Sequence, residues 1–253
     1  MISLTTAISI PETNVLAGFG PWPARDIQNT LAPPIVQRDR GLEVFGRSTP
    51  KAQVGGDLVD LVKTGRGMTA WVADISGHGL RAAIMAGMVK TAVRYGLHLG
   101  QSLPQLLDHI NYVLPAVKEQ SMFATLAALR FGELNEVEYI SAGHLPLLHY
   151  QHRTGRVVRY FMDQFPLGLL EGEGYVSQRI RYEAGDIFGL VTDGIAEAGE
   201  DRDLGFGLDR LDQILRDRSG YPLSEIFEAI QADARFRGAQ HDDQTVLLIR
   251  AEL

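Results

Sequence analysis

Four acidic positions in this sequence share one setting. Asp57 ends Val54-Gly55-Gly56-Asp57, Asp74 opens Asp74-Ile75-Ser76-Gly77-His78-Gly79, Asp193 sits in Val191-Thr192-Asp193-Gly194, and Asp242-Asp243 precede Gln244-Thr245. Each falls where an apolar run starts or stops, among residues small enough for a ligand or a backbone carbonyl to come close. A turn-forming role accounts for any one Asp-Gly pair taken alone. Asp74 and Asp193 resist that reading, because Trp71-Val72-Ala73 and Phe188-Gly189-Leu190-Val191 lead into them as interior strands, and a carboxylate ending such a strand needs a partner. The neighbouring residues offer no obvious lysine or arginine. A divalent cation meets the need, and a set of oxygen donors suits Mg2+ or Mn2+ better than Zn2+ or Cu2+. The absence of cysteine excludes a thiolate zinc site, a disulfide scaffold and a cysteine nucleophile. No Gly-x-Ser-x-Gly elbow is present, so a serine nucleophile has no recognisable seat either.

Positions this far apart act together only if the fold gathers them, and the periodicity indicates how. Residues 42–49 read as a strand, and 57–64 and 68–75 as two more, joined as a hairpin through Gly65-Arg66-Gly67. From 78 to about 95 the chain reads as a buried helix whose polar side is marked by Arg81, Lys90 and Arg94. Ser102 and Gln105 have capping-box spacing ahead of Leu106, Leu107, Ile110 and Leu114, which predicts a second helix. Between Met122 and Ile187 the period becomes two, and 123–131, 136–141, 145–151, 156–161 and 175–182 predict an antiparallel meander. Another strand at 186–192 is followed by two amphipathic helices, one on Leu208, Leu211 and Leu215, the other behind Pro222, and by a last strand at 245–249. Strands and helices in segregated blocks favour an α+β layered fold over a parallel doubly wound sheet. Residues 1–23, rich in Pro and Gly, read as an N-terminal extension. A short helix over 24–31, stopped by Pro33-Pro34, then opens a single domain spanning 24–253.

Charge sets limits on partners. Lys and Arg total 24 against 31 Asp and Glu, a net charge of −7, so no long-range field favours nucleic acid or an anionic membrane. No stretch approaches the roughly 18 apolar residues of a membrane span, and the first residues carry no basic leader; a cytoplasmic location is the expectation.

Six stretches together carry a resemblance. Gly55-Gly56-Asp57-Leu58-Val59-Asp60, Ala73-Asp74-Ile75-Ser76-Gly77-His78-Gly79, Ser141-Ala142-Gly143-His144-Leu145-Pro146, Thr192-Asp193-Gly194-Ile195-Ala196-Glu197, Phe206-Gly207 and Asp242-Asp243-Gln244-Thr245 occur in the order found in one family. From about Ala24 to Arg250 the sequence resembles the bacterial branch of the metal-dependent type 2C (PPM) protein serine/threonine phosphatases, the stage II sporulation protein E type. That resemblance implies a four-layer α-β-β-α sandwich of two antiparallel β-sheets flanked by helix pairs, with two Mn2+ or Mg2+ ions in a cleft at one sheet edge. It implies that Asp74 bridges the ions, that Ile75 lends its main-chain carbonyl, that Asp193 and Asp242 ligate the first ion, and that Asp57 holds water at the metals. Asp243 is implied as a neighbour whose register the paired aspartates leave open, and Asp60 and Glu197 are close enough in motif to join a third ion.

The family comparison also frames the histidines and the partners. His78 is a candidate general acid for the leaving serine oxygen, against the reading that it satisfies backbone groups at a helix start. His144 has the same two readings, while His109, His149 and His152 match no metal spacing. Two departures stand out: Leu58-Val59 replace the aromatic residues that often follow Gly-Gly-Asp, and only about 23 residues precede the first helix. Control would then come from a separate regulator, from self-association through Phe19, Trp22 and Ile27, or from expression level. The implied substrate is a phosphoserine or phosphothreonine protein, a small anti-sigma-factor antagonist in a partner-switching system. Two alternatives stand beside it: a catalytically silent binding module on the same fold, which retention of Asp57, Asp74, Asp193 and Asp242 argues against, and a two-metal hydrolase of small phosphoesters.

Overall fold

In the computed structural model, which describes residues 24–65, 67–119, 121–132, 135–172, 174–199 and 203–252, the apolar runs pair into two antiparallel sheets. The extension at 1–23, with Phe19 and Trp22, lies outside the described residues. One sheet holds six strands in the spatial order β1 (Ile35–Asp39), β2 (Leu42–Thr49), β11 (Gln244–Ala251), β10 (Ile187–Val191), β7 (Leu147–Gln151) and β8 (Arg156–Tyr160). The other holds five: β3 (Leu58–Thr64), β4 (Gly67–Ile75), β5 (Ala124–Phe131), β6 (Glu136–Ala142) and β9 (Gln178–Arg181). Helices α2 (Leu80–His98) and α3 (Leu103–Val117) cover the five-stranded sheet, and α5 (Leu204–Asp217) and α6 (Leu223–Arg237) cover the six-stranded one. A short helix α1 (Ala24–Leu31) lies against α2, and a single turn α4 (Asp193–Ala196) follows β10. These are the four layers of the expected α-β-β-α sandwich.

Burial explains why the strands read as they do. On β4, Trp71, Ala73 and Ile75 pack toward α2 and α3, while Ala70 and Val72 face the opposite sheet, so the strand is apolar on both faces. The space between the sheets is filled by Val44, Val59, Ala127, Tyr139, Phe188 and Leu247, all buried. At about 1.5–3 kcal/mol for each large side chain removed from water, these layers supply the main stabilising term. The capping box at Ser102 forms: its hydroxyl accepts from Gln105 N, and Gln105 Oε1 accepts from Ser102 N at 3.2 Å. No helix among the described residues is long and apolar enough to cross a membrane.

The structure departs from the expected elements in three places. The meander divides: after β6 the chain crosses to the six-stranded sheet for β7 and β8, then returns as β9 beside β6. A period of two shows that a strand is half-buried without naming its neighbour. Strand β1, with only Ile35 fully buried, lies where the apolar pattern predicts no element, and α2 begins at Leu80 rather than at His78.

Topology then sets where the strand ends lie. The hairpin of β3 and β4 puts the start of one and the end of the other at the same end of their sheet. Antiparallel β10 and β11 do the same in the second sheet. The alternation that turns Val59 and Val72 inward also turns Asp57 and Asp74 into the space between the sheets, and Leu190 and Leu247 give the same facing to Thr192 and Thr245.

Candidate active site

The two sheet ends meet at Asp57. Its carboxyl is 2% exposed, and one oxygen accepts from Thr192 Oγ1 at 2.8 Å and from Thr245 Oγ1 at 2.6 Å. Both hydroxyls come from the opposite sheet, so they tie the start of β3 to the strands that carry Asp193 and Asp242. In the sequence only the nearness of Thr192 and Thr245 to Asp193 and Asp243 hints at these hydroxyl roles.

Asp74 stands at the end of β4, opposite Thr125 on β5. Burial comes first among the causes that raise its pKa from 3.8 to about 7, followed by the charges of Asp193, Asp242 and Asp243. A hydrogen bond from the Asp57 carboxyl offsets part of that rise. Asp57 is itself pushed well above the usual carboxylate range, chiefly by burial and then by Asp74. None of the main influences on either carboxyl is a cationic side chain. Asp193, the first residue of α4, lines a small opening with Gly194, Glu197, His241 and the exposed Asp242.

The two adjacent aspartates do different things. Asp243 is 5% exposed and its carboxylate accepts from main-chain amides: Lys51 N at 2.8 Å on one oxygen, Gly56 N at 2.7 Å and Asp57 N at 3.4 Å on the other. Asp242 Oδ1 accepts from Asp243 N at 2.8 Å, and its side chain is otherwise turned to the opening. Gly55 is needed for this arrangement, because a Cβ there would lie 2.1 Å from Asp243 Oδ2. At the Ile75 carbonyl the backbone also comes close, since a Cβ on Gly56 would lie 2.9 Å from that oxygen. Farther out, Gly207 in the first turn of α5 lets that helix sit directly on α4; a Cβ there would fall 1.7 Å from Ala196 O.

Other candidates are placed elsewhere. Asp60 is buried and held bidentately by Arg94, at 2.6 and 2.7 Å, on the α2 side, so it does not join the group. His78 is exposed in the turn before α2, bordering a groove with Arg81 and Glu119. His144 is buried, its pKa pushed down to about 4 by burial, and Nδ1 pairs with Thr125 Oγ1 at 2.8 Å. A neutral imidazole behind the residue facing Asp74 supports the strand end. His149 pairs with Asp186 at 2.8 Å at the opposite end of β10, and His109 with Gln101.

The donor set fits a hard divalent cation. Carboxylates and a close-approached carbonyl, oxygen throughout, are gathered where burial first, and then the charges of neighbouring carboxylates, raise two pKa values, an environment a doubly charged ion relieves. Among the described residues no three of these groups yet surround one point closely enough to hold an ion as they stand. Asp193 and Asp242 line a small opening rather than enclose it.

Comparison with known structures places the sandwich. It superimposes on the SiaA-PP2C domain of Pseudomonas aeruginosa with a TM-score of 0.71 at 23% identity, covering 82% of this chain and 85% of that one. On the RsbU and RsbW domains of Rv1364c from Mycobacterium tuberculosis the TM-score is 0.74 at 22% identity over 87% of this chain, which spans 61% of that one. The fold is that of the PP2C phosphatases. In sequence, the family model for Stage II sporulation protein E (SpoIIE) matches residues 64–252, and the chain belongs to that family. Asp57 lies ahead of the matched stretch. A relative, the phosphoserine phosphatase RsbU of Bacillus subtilis (strain 168), is 26% identical over 235 residues, 91% of this chain and 69% of RsbU.

Proposed function

We propose that this protein is a metal-dependent protein serine/threonine phosphatase that hydrolyses phosphoserine or phosphothreonine to the free hydroxyl and inorganic phosphate. One observation carries the reading: Asp57 and Asp74 are raised together, Asp74 to about 7, at the sheet end where Asp193 and Asp242 also stand. Two Mn2+ or Mg2+ ions bound there would lower the pKa of a water toward neutrality and clamp the phosphoryl oxygens for in-line attack. Asp74, the Ile75 carbonyl, Asp193 and Asp242 are the residues to hold them. Asp57, fixed by two threonine hydroxyls, would accept a hydrogen bond from the attacking water and keep it aimed. Asp243 serves differently from its neighbour, holding the amides of Gly56 and Asp57 in place. His78, exposed in the turn before α2 and bordering a separate groove with Arg81 and Glu119, is the candidate to protonate the leaving serine oxygen.

Family membership and the likeness to RsbU support a place in partner-switching regulation of a sigma factor. The substrate we propose is a small phosphorylated anti-sigma-factor antagonist in the cytoplasm, with control supplied by a separate regulator or by a second copy of the chain. The test is hydrolysis of p-nitrophenyl phosphate in EDTA, Mg2+ and Mn2+ in parallel, with D74N as control, followed by phosphoserine and phosphothreonine peptides. Activity with Mn2+ or Mg2+ that is lost in D74N is expected. Activity that survives EDTA, or a D74N variant as active as the parent, overturns the proposal. Metal binding without turnover on any phosphopeptide would favour the silent binding module.

A further inference from the structure

We propose that Gln28, on α1, is a positioning residue for the turn that delivers Asp57. The inference rests on reading the sheet end as a cation site. Three consecutive amides lead into Asp57, and each has a side-chain acceptor: Gln28 Oε1 takes Gly55 N at 2.9 Å, and Asp243 takes Gly56 N and Asp57 N. A turn built on two adjacent glycines has more conformational freedom than any other pair would give it, so its peptide planes are fixed by what their amides bond to. Asp243 fixes the last two and Gln28 the first.

The side chain is suited to that one contact. Gln28 is 6% exposed, and its Nε2 has no hydrogen-bond partner. A glutamine kept in a buried place with only its oxygen engaged is there for the acceptor. The helix that carries it is itself anchored, since Lys90 Nζ donates to Thr30 O at 3.0 Å and Leu31 O at 2.8 Å, closing the C-terminal end of α1 onto α2. The link therefore runs from α2 through α1 and Gln28 to Gly55, and by the turn to Asp57. Gln28 touches neither substrate nor ion; it acts through the turn.

The experiment compares Q28M, which keeps length and removes the acceptor, with Q28E, which keeps an oxygen in reach of Gly55. Hydrogen exchange at the Gly55 amide, read by NMR of 15N-glycine-labelled full-length protein, reports the contact without metal, and calorimetric titration with Mn2+ reports its consequence. In Q28M the Gly55 amide is expected to exchange about tenfold faster and Mn2+ to bind about tenfold more weakly, in the range seen when residues behind metal ligands are lost. The kcat for p-nitrophenyl phosphate falls while KM is unchanged, and Q28E recovers the larger part of both. A folded Q28M with wild-type Gly55 exchange and Mn2+ affinity within twofold overturns the proposal. Should Q28M fail to fold, K90M, which releases the end of α1 without touching the turn, carries the same two measurements. If the wild-type protein binds no Mn2+, the reading of the site falls, and Gly55 exchange alone decides the role of Gln28.

Discussion

Replacing Asp74 with asparagine is expected to strengthen the metal-free fold while removing its activity. In the folded chain the Asp74 carboxyl is raised from 3.8 to about 7 by burial and by Asp193, Asp242 and Asp243; in the unfolded chain it titrates near the ordinary value of about 3.9. Between about pH 4 and pH 7 the native state keeps a proton that the unfolded state has released, so stability falls as pH rises through that window and stays low above it. A factor of ten in proton affinity is about 1.4 kcal/mol, so the full shift corresponds to roughly 4 kcal/mol; with relaxation of the neighbouring carboxyls about 2 kcal/mol is expected to be recovered. Asparagine keeps the volume and the ability to pair with Asp57. For a domain of this size the gain corresponds to a Tm higher by about 4–8 °C. The assay is thermal and urea unfolding in EDTA at pH 5 and pH 8, where the parent loses more stability between the two than D74N does. Added Mn2+ reverses the order, because only the parent gains binding energy. A D74N protein no more stable than the parent at pH 8 in EDTA would refute the reasoning.

The remaining expectations concern neighbours of the site. D243N, which weakens the acceptor for three main-chain amides, is expected to cost about 1.5–3 kcal/mol in urea unfolding and to weaken Mn2+ binding. D242N is expected to leave stability within about 0.5 kcal/mol while abolishing Mn2+ binding, and an exchange of the two outcomes would reverse their assignment. G207A, whose methyl would overlap Ala196 O, is expected to destabilise by about 1–3 kcal/mol and to lower Mn2+ affinity by displacing Asp193; an unchanged unfolding midpoint would contradict the close packing of α5 on α4. R94M, which leaves the buried Asp60 unpaired, is expected to cost about 2–4 kcal/mol with Mn2+ affinity intact, and altered affinity in a folded protein would return Asp60 to the site.

Much of the architecture is legible in the residues, and the parts that are not share a cause. The capping box at Ser102 and the hairpin of β3 with β4 are local, so the residues that form each one also announce it. The sheet assignment of β7 and β8 is not local: Leu147–Gln151 is buried on both faces, as a strand of either sheet could be, and its partner β10 lies far along the chain. Similarly, the spacing of Asp57, Asp74 and Asp193 marks strand ends, but Asp242 and Asp243 are equivalent as letters. Only the seating of Asp243 against the amides of Gly56 and Asp57 separates them. Asp60 misleads for the opposite reason: it stands in the same short stretch as Asp57, yet β3 carries it up the sheet to Arg94. Gln28 sits in a short polar helix whose sequence contains nothing to link it with Gly55.

The place of β11 in the six-stranded sheet bears on how the protein is made. This strand lies between β2 and β10, yet its residues, 244–251, are translated after every other element described. A nascent chain that has emerged only through α6 has a split first sheet and lacks Asp242, Asp243 and Thr245, so its Asp57 has one hydroxyl partner at most. Contacts that span so much of the chain form slowly, because the loop must close before they are rewarded. The six-stranded sheet can therefore close, and Asp57 can gain its second threonine partner, only after residues 244–251 have been made.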